Sequence, residues 1–170
     1  MSPASPPMYL RPVADADLPI FFAQQADPMA NAMAVFGAAR PDDRIAFDAK
    51  WARIRINPDL LTRTVVTDGP EGKGTVAGYV AHFPLIGQPA IAYWLGRAFW
   101  GRGIASAAVT QFIAGIPTRP LYARVAVSNM ASARVLSRAG FHAVGSDQAH
   151  APSLNRMVEE VIFRLDDGPA

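Results

Sequence analysis

Cysteine is missing altogether from the 170 residues. That excludes disulfides, thiolate metal sites, iron–sulfur clusters and a cysteine nucleophile, and it fits a reducing compartment such as the cytoplasm. Lysine is nearly missing too. Lys50 and Lys73 are the only two, the remaining positive charge is arginine spread along the chain, and the formal net charge is only +2. Without a one-sided basic cluster, no nucleic-acid partner is expected. No run reaches the ~18 apolar residues of a membrane span. Met1–Met8 carries three prolines and no basic residue, so it lacks the charged start of a secretory signal. Two phosphate-binding fingerprints are also absent: the Gly-Lys-Ser/Thr ending of a P-loop and the third glycine of a dinucleotide site. No metal site is expected.

What is present suits one folded unit. Half of the residues (51%) are apolar, enough for a sizeable core in a chain of this length. One domain is expected over 9–166, with 1–8 and 167–170 as flexible tails. Tyr9 to Val13 reads as a strand. Asp15 or Asp17 can cap a helix to about Gln25, with Pro19 in its first turn. Asp27 to Ala39 reads as short helix or loop. Pro41 opens a helix to about Ile56, with Phe47, Trp51 and Ile54 on one face, ended by Asn57-Pro58.

Thr62 to Thr67, Thr75 to Phe83 and Ala90 to Leu95 read as an antiparallel meander, with turns at 68–74 and 87–89. Beyond Gly96 the pattern becomes helix (Gly103 to Ile113), strand (Leu121 to Val127), helix (Asn129 to Ala139, stopped by Gly140) and two last strands (Phe141 to Val144, Val158 to Leu165). The stretch Ser146 to Arg156 between them reads as a loop. A meander followed by helix–strand alternation predicts an α/β (α+β) fold, with a mixed, largely antiparallel central sheet and helices on both faces.

Two stretches carry chemistry. In the first, Leu95 to Ser106, a strand ends, a loop with Gly101 and Gly103 follows, and a helix begins. Glycines let successive amides turn toward one point, and the helix start adds unpaired N–H groups and the positive dipole end. Together they suit a pyrophosphate, although a Gly-x-Gly is often a plain turn. The second stretch, Asn129 to Phe141, follows a strand and opens a helix. Asn129 reads either as a helix cap or as an amide that bonds a ligand.

Trp100-Gly101-Arg102-Gly103-Ile104-Ala105 resembles the Q/R-x-x-G-x-G/A loop of the GNAT N-acetyltransferases, with Trp100 in its first position. Asn129…Ser132…Leu136…Gly140-Phe141 resembles that superfamily's second motif, and the Tyr93-Trp94-Leu95 lead-in resembles its ribosomal-protein (RimJ/RimL-like) branch. The resemblance implies that acetyl-CoA is the co-substrate. Its arm would lie where the strand ending at Leu95 and Gly96 splays from Leu121–Val127. The amides of Arg102, Gly103, Ile104, Ala105 and Ser106 would hold the pyrophosphate. Asn129 would bond the pantetheine arm, and Arg134 or Arg138 would meet the 3′-phosphate.

The chain departs from the family at the acid–base positions. Leu136 stands where many relatives carry a tyrosine, and Pro89 to Ala92 supply no carboxylate. Ser132, one turn from Leu136, is the candidate acid, and His82 is the candidate base ahead of Glu159 and Glu160. The expected activity is acetyl transfer to a primary amine of a small molecule or a peptide N-terminus. A non-catalytic acyl-CoA-binding sensor or interaction module is the alternative, and pairing into a homodimer is left open. The acceptor is expected to be chosen by Asp27 to Ala39 and by the Pro84 to Gln88 and Ser146 to Arg156 stretches.

Overall fold

A computed structural model describes residues 7–69 and 72–167. Of the expected tails, residues 1–6 and 168–170 lie outside that range, as do residues 70 and 71 of the expected turn at 68–74. Among the described residues, seven strands form one sheet in the order β1-β2-β3-β4-β5-β7-β6. They are β1 (Met8–Arg11), β2 (Leu61–Gly69), β3 (Gly72–Leu85), β4 (Gln88–Leu95), β5 (Leu121–Ala126), β6 (His142–Ala151) and β7 (Arg156–Leu165). Five α-helices among the same residues accompany them: α1 (Leu18–Gln25), α2 (Pro28–Ala34), α3 (Arg44–Ile56), α4 (Ile104–Ala114) and α5 (Met130–Arg138).

The two faces of the sheet are covered by different chemistry. On one, Val80, Ile91, Leu95, Ala123 and Val125 pack under Ile104, Val109, Phe112 and Ile113 of α4 and Leu136 of α5. On the other, α1 and α3 lay Phe21, Phe47 and Trp51 against Val76 and Tyr79. The expected Phe47–Trp51 stripe is this second core, and its rings meet edge-on or tilted, as aromatic quadrupoles favour (Trp51 to Tyr79, 4.9 Å and 88°). The α3 helix starts at Arg44, later than Pro41, because the Asp43 side chain accepts from Ala46 N at 3.0 Å and caps it there.

Five of the six strand pairings are antiparallel. The β4–β5 pair is parallel and registers only at Ala90↔Tyr122. Past that point β4 stays with β3, to Gly78↔Leu95 and a Gly96 N to Ala77 O bond of 2.8 Å, while β5 diverges. Gly78 permits the close approach that holds β4 there, because a Cβ on it would lie 1.9 Å from the Trp94 carbonyl oxygen. The sheet therefore opens into a V between β4 and β5.

A second expectation is corrected. Ser146 to Arg156 is no loop: β6 continues to Ala151, pairs with β7 to Ala151↔Arg156, and turns through 152–155. Asn155 takes the left-handed conformation there (φ 49°), which asparagine tolerates. This edge strand is exposed along nearly all of its length. It has no apolar alternation to read, as befits a protected edge.

Candidate active site

A cleft of about 440 Å³ occupies the mouth of the V. Its walls are Tyr93, Trp94 and Leu95 of β4, the Phe99–Gly101 and Gly103 loop, the start of α4, the cleft-facing side of α5, and Ala30, Met33 and Ala34 of α2. The loop has the geometry its glycines allow. Gly101 and Gly103 have φ of 72° and 75°, a region that costs other residues roughly 1–2 kcal/mol. Gly103 is the N-cap of α4 and offers no side-chain cap, and the first intrahelical bond there is Ala107 N to Gly103 O at 3.1 Å. The amides of Ile104, Ala105 and Ser106 thus enter the cleft wall with no helical acceptor, at the positive end of the helix dipole.

At α5 the opposite holds. Asn129 Oδ1 accepts from Ser132 N at 3.3 Å, so the capping reading of Asn129 is realised. Its side-chain NH2 remains as a donor on a residue that lines the cleft. Arg134 and Arg138 also line it and place two positive charges along α5.

Of the other expected residues, Leu95, Gly103, Ile104, Ala105, Ser106 and Ser132 line the cleft, whereas Gly96, Arg102 and His82 do not. Gly96 is buried against Gln24. The Arg102 guanidinium turns away, donating to Asp68 O at 2.7 Å and lying over the Phe99 ring at 5.9 Å. His82 sits on β3 opposite Ile91 and Leu61. Its Nε2 is buried without a hydrogen-bond partner among the described residues, and burial pushes its pKa below the ordinary value. Glu160 is buried in an ion pair with Arg124 at 2.8 Å.

Sequence reasoning missed one functional candidate. The Tyr93 hydroxyl lies 2.8 Å from Ser132 Oγ, so a strand tyrosine stands near the hydroxyl proposed for the absent helix tyrosine. Burial raises the Tyr93 pKa, and the bond to Ser132 pulls the other way, so the phenol stays protonated near neutrality. Period-2 alternation could have found it, since Tyr93 shares a face with Ile91 and Leu95, toward α5. Trp100 also acts locally: its Nε1 donates to Leu95 O at 2.9 Å, tying the loop to the end of β4. No cluster of potential metal ligands occurs among the described residues, and no helix among them is long and apolar enough to cross a membrane.

Comparison with known proteins agrees with this geometry. The sequence model described as "Acetyltransferase (GNAT) domain" matches residues 8–142. A search of curated proteins by sequence returns no match. Among solved structures, Mycobacterium smegmatis RimJ in complex with CoA-disulfide aligns with TM-score 0.77 and 17% identity, over 94% of this chain and 81% of that one. Spermidine N-acetyltransferase from Vibrio cholerae, in complex with CoA and spermine, aligns at 0.75 with 12% identity over 94% and 95%. Ribosomal-protein-alanine N-acetyltransferase from Brucella melitensis aligns at 0.73 with 19% identity over 94% and 99%. At these identities the structures speak for the fold, while the family match spans most of the chain. The chain belongs to the GNAT acetyltransferase-domain family and is an acyltransferase.

Proposed function

We propose that this protein transfers the acetyl group of acetyl-CoA directly to a primary amine, of a small molecule or a peptide N-terminus, in the cytoplasm. The observation that carries this reading is the V between β4 and β5, with an uncapped helix start at one side and the Tyr93–Ser132 hydroxyl pair within. The fit to acetyl-CoA rests on the donor set. Three free amides at a helix N-terminus suit a pyrophosphate, the Asn129 NH2 suits an amide of the pantetheine arm, and Arg134 or Arg138 suits a 3′-phosphate.

Acetyl-CoA supplies an acyl carbon activated as a thioester and a thiolate leaving group. The acceptor nitrogen, neutral when it attacks, forms the C–N bond as the C–S bond breaks. The nitrogen then loses a proton and the sulfur gains one. Tyr93 and Ser132 are the chain's candidates for the second proton, because their shared hydrogen bond lets either hydroxyl donate while the other accepts. Among the described residues no carboxylate or imidazole lines the cleft. The nitrogen's proton therefore leaves to water, and much of the rate comes from holding the two reactants together, an effect that can reach roughly 7–11 kcal/mol.

Acetyl-CoA-dependent thiol release with a panel of amines and short peptides tests the proposal. Turnover with at least one primary amine is the expected result. Tight binding of acetyl-CoA with no turnover on any amine would leave the acyl-CoA-binding module instead.

A further inference from the structure

A second cavity of about 180 Å³ adjoins the first, and Ala34, Tyr93, Trp94, Asn129 and Ser132 border both. It passes between the diverging strands, because its walls come from both faces of the sheet. Ala123 and Val125 belong to the core beneath α4, and Arg124 between them points to the opposite face by strand alternation. Arg124 is the one charged residue lining this cavity among the described residues. An acceptor entering here would approach the Tyr93–Ser132 pair from the side away from α4.

The guanidinium is held by one nitrogen. Arg124 Nη1 donates to Glu160 Oε1 at 2.8 Å and to Asp147 Oδ2 at 3.1 Å. Those two carboxylates stand directly opposite each other on β7 and β6, a juxtaposition that repels without a cation between. Nε and Nη2 have no partner among the described residues, and the side chain is 16% exposed. Arginine's planar fork thus leaves two donor nitrogens, Nε and Nη2, over for a ligand. The charge of the cluster selects what they take. One guanidinium between two carboxylates sums to −1, so a third carboxylate would meet net repulsion, moderated by water at the half-exposed Asp147. A neutral carbonyl oxygen accepts from the same donors without that cost, and the attached amine is not repelled.

Resting on the transferase reading above, we infer that Arg124 determines acceptor specificity by donating from Nε and Nη2 to a neutral carbonyl beside the acceptor amine. N-terminal amides and peptides are then preferred over free amino acids and over amines without a carbonyl.

Three acceptors of nearly one shape test it: alaninamide, alanine and 1,2-diaminopropane, with kcat/KM expressed per unprotonated amine. Wild type should favour alaninamide by roughly 10–100-fold, the weight of a hydrogen bond to a charged group. Arg124→Lys keeps a positive charge between Asp147 and Glu160 but has no fork. It should raise KM for alaninamide, remove most of the preference, and leave acetyl-CoA affinity and the melting temperature near wild type. Equal kcat/KM for all three acceptors in wild type would overturn the inference. So would a variant that slows all three alike, since that is what a purely structural ion pair predicts. Acetylation of none of the three while another amine of the panel is turned over would overturn this inference alone, whereas no turnover on any amine of that panel would overturn the transferase reading beneath it.

Discussion

The two ends of the V are built from different materials. At the α4 end the candidate ligand groups are backbone: cleft-lining amides freed by a helix start and turned by Gly101 and Gly103. At the other end they are side chains brought together over long distances in sequence. Tyr93 meets Ser132 across 39 residues, and Arg124 meets Glu160 across 36. The α2 helix closes that end from still further away, where Ser153 Oγ donates to Val35 O. A backbone site depends on a few local residues and tolerates change around it. A side-chain site depends on every element that aims it, and can be retuned one residue at a time.

The largest expected effect breaks the backbone end. Gly103→Val puts a branched Cβ at φ 75°, beside the amides proposed to hold the pyrophosphate. Calorimetry should find acetyl-CoA binding abolished, while the fold loses only roughly the 1–2 kcal/mol of a strained left-handed residue. Wild-type affinity in this variant would move the pyrophosphate elsewhere. The same end can be sharpened by linkage. Acetyl-CoA at 100 times its Kd should stabilise the native state by roughly 2.7 kcal/mol, and no thermal shift at millimolar acetyl-CoA would remove it as a ligand.

Next in size is the hydroxyl pair. Tyr93→Phe and Ser132→Ala should each lower kcat by roughly 10²-fold, the lower end for loss of a general acid. A thiolate is already a fair leaving group near neutrality, because thiol pKa values lie near ~8.5. Acetyl-CoA affinity should hold in both. Since the two hydroxyls act through one bond, the double variant should be little worse than either single one. Additive losses in kcat would mean that they work separately.

This difference in materials also explains what the sequence could tell. The glycine loop, the α5 cap and the order of elements are local patterns, and they were legible together with the mixed sheet. The Phe47–Trp51 stripe was legible as core for the same reason. In the sequence Tyr93 is only part of a lead-in to the loop, because nothing local says that Ser132 lies across from it. Arg124 looked like any of the scattered arginines until β5 and β7 brought Glu160 to it. The β6 edge was hidden by its polarity. His82 was chosen for its chemistry alone, and the register of β3 sets it opposite Ile91 and Leu61, outside the cleft lining.

Asn129 stands at the junction of the two ends, and a moderate effect separates its two roles. Asn129→Ala removes the cap and should cost about 1 kcal/mol of stability as well as cofactor affinity. Asn129→Asp keeps an oxygen for the Ser132 amide but has no NH2. It should melt like wild type and bind acetyl-CoA more weakly, by roughly 0.5–1.5 kcal/mol for one neutral hydrogen bond. Unchanged affinity in Asn129→Asp would reduce Asn129 to a cap.

The smallest expected effect concerns His82. Burial lowers its pKa in the folded protein, so the unfolded chain binds a proton there more readily than the native one. Its contribution is therefore undiminished above the ordinary value of 6.5, and is lost as pH falls from there toward the depressed folded value. His82→Gln should flatten that acid-side decline in chemical denaturation between pH 7 and 5. It should leave the pH–rate profile alone, because the acceptor's own ionisation sets the acid limb when no enzyme base among the described residues lines the cleft. The two measurements pull apart the two readings of the residue. An acid limb that disappears with His82 would restore it as the general base and require a path from β3 to the Tyr93–Ser132 pair. A limb that follows the pKa of each amine in turn, unchanged by the substitution, would leave His82 a half-buried ring whose only titration is paid in stability.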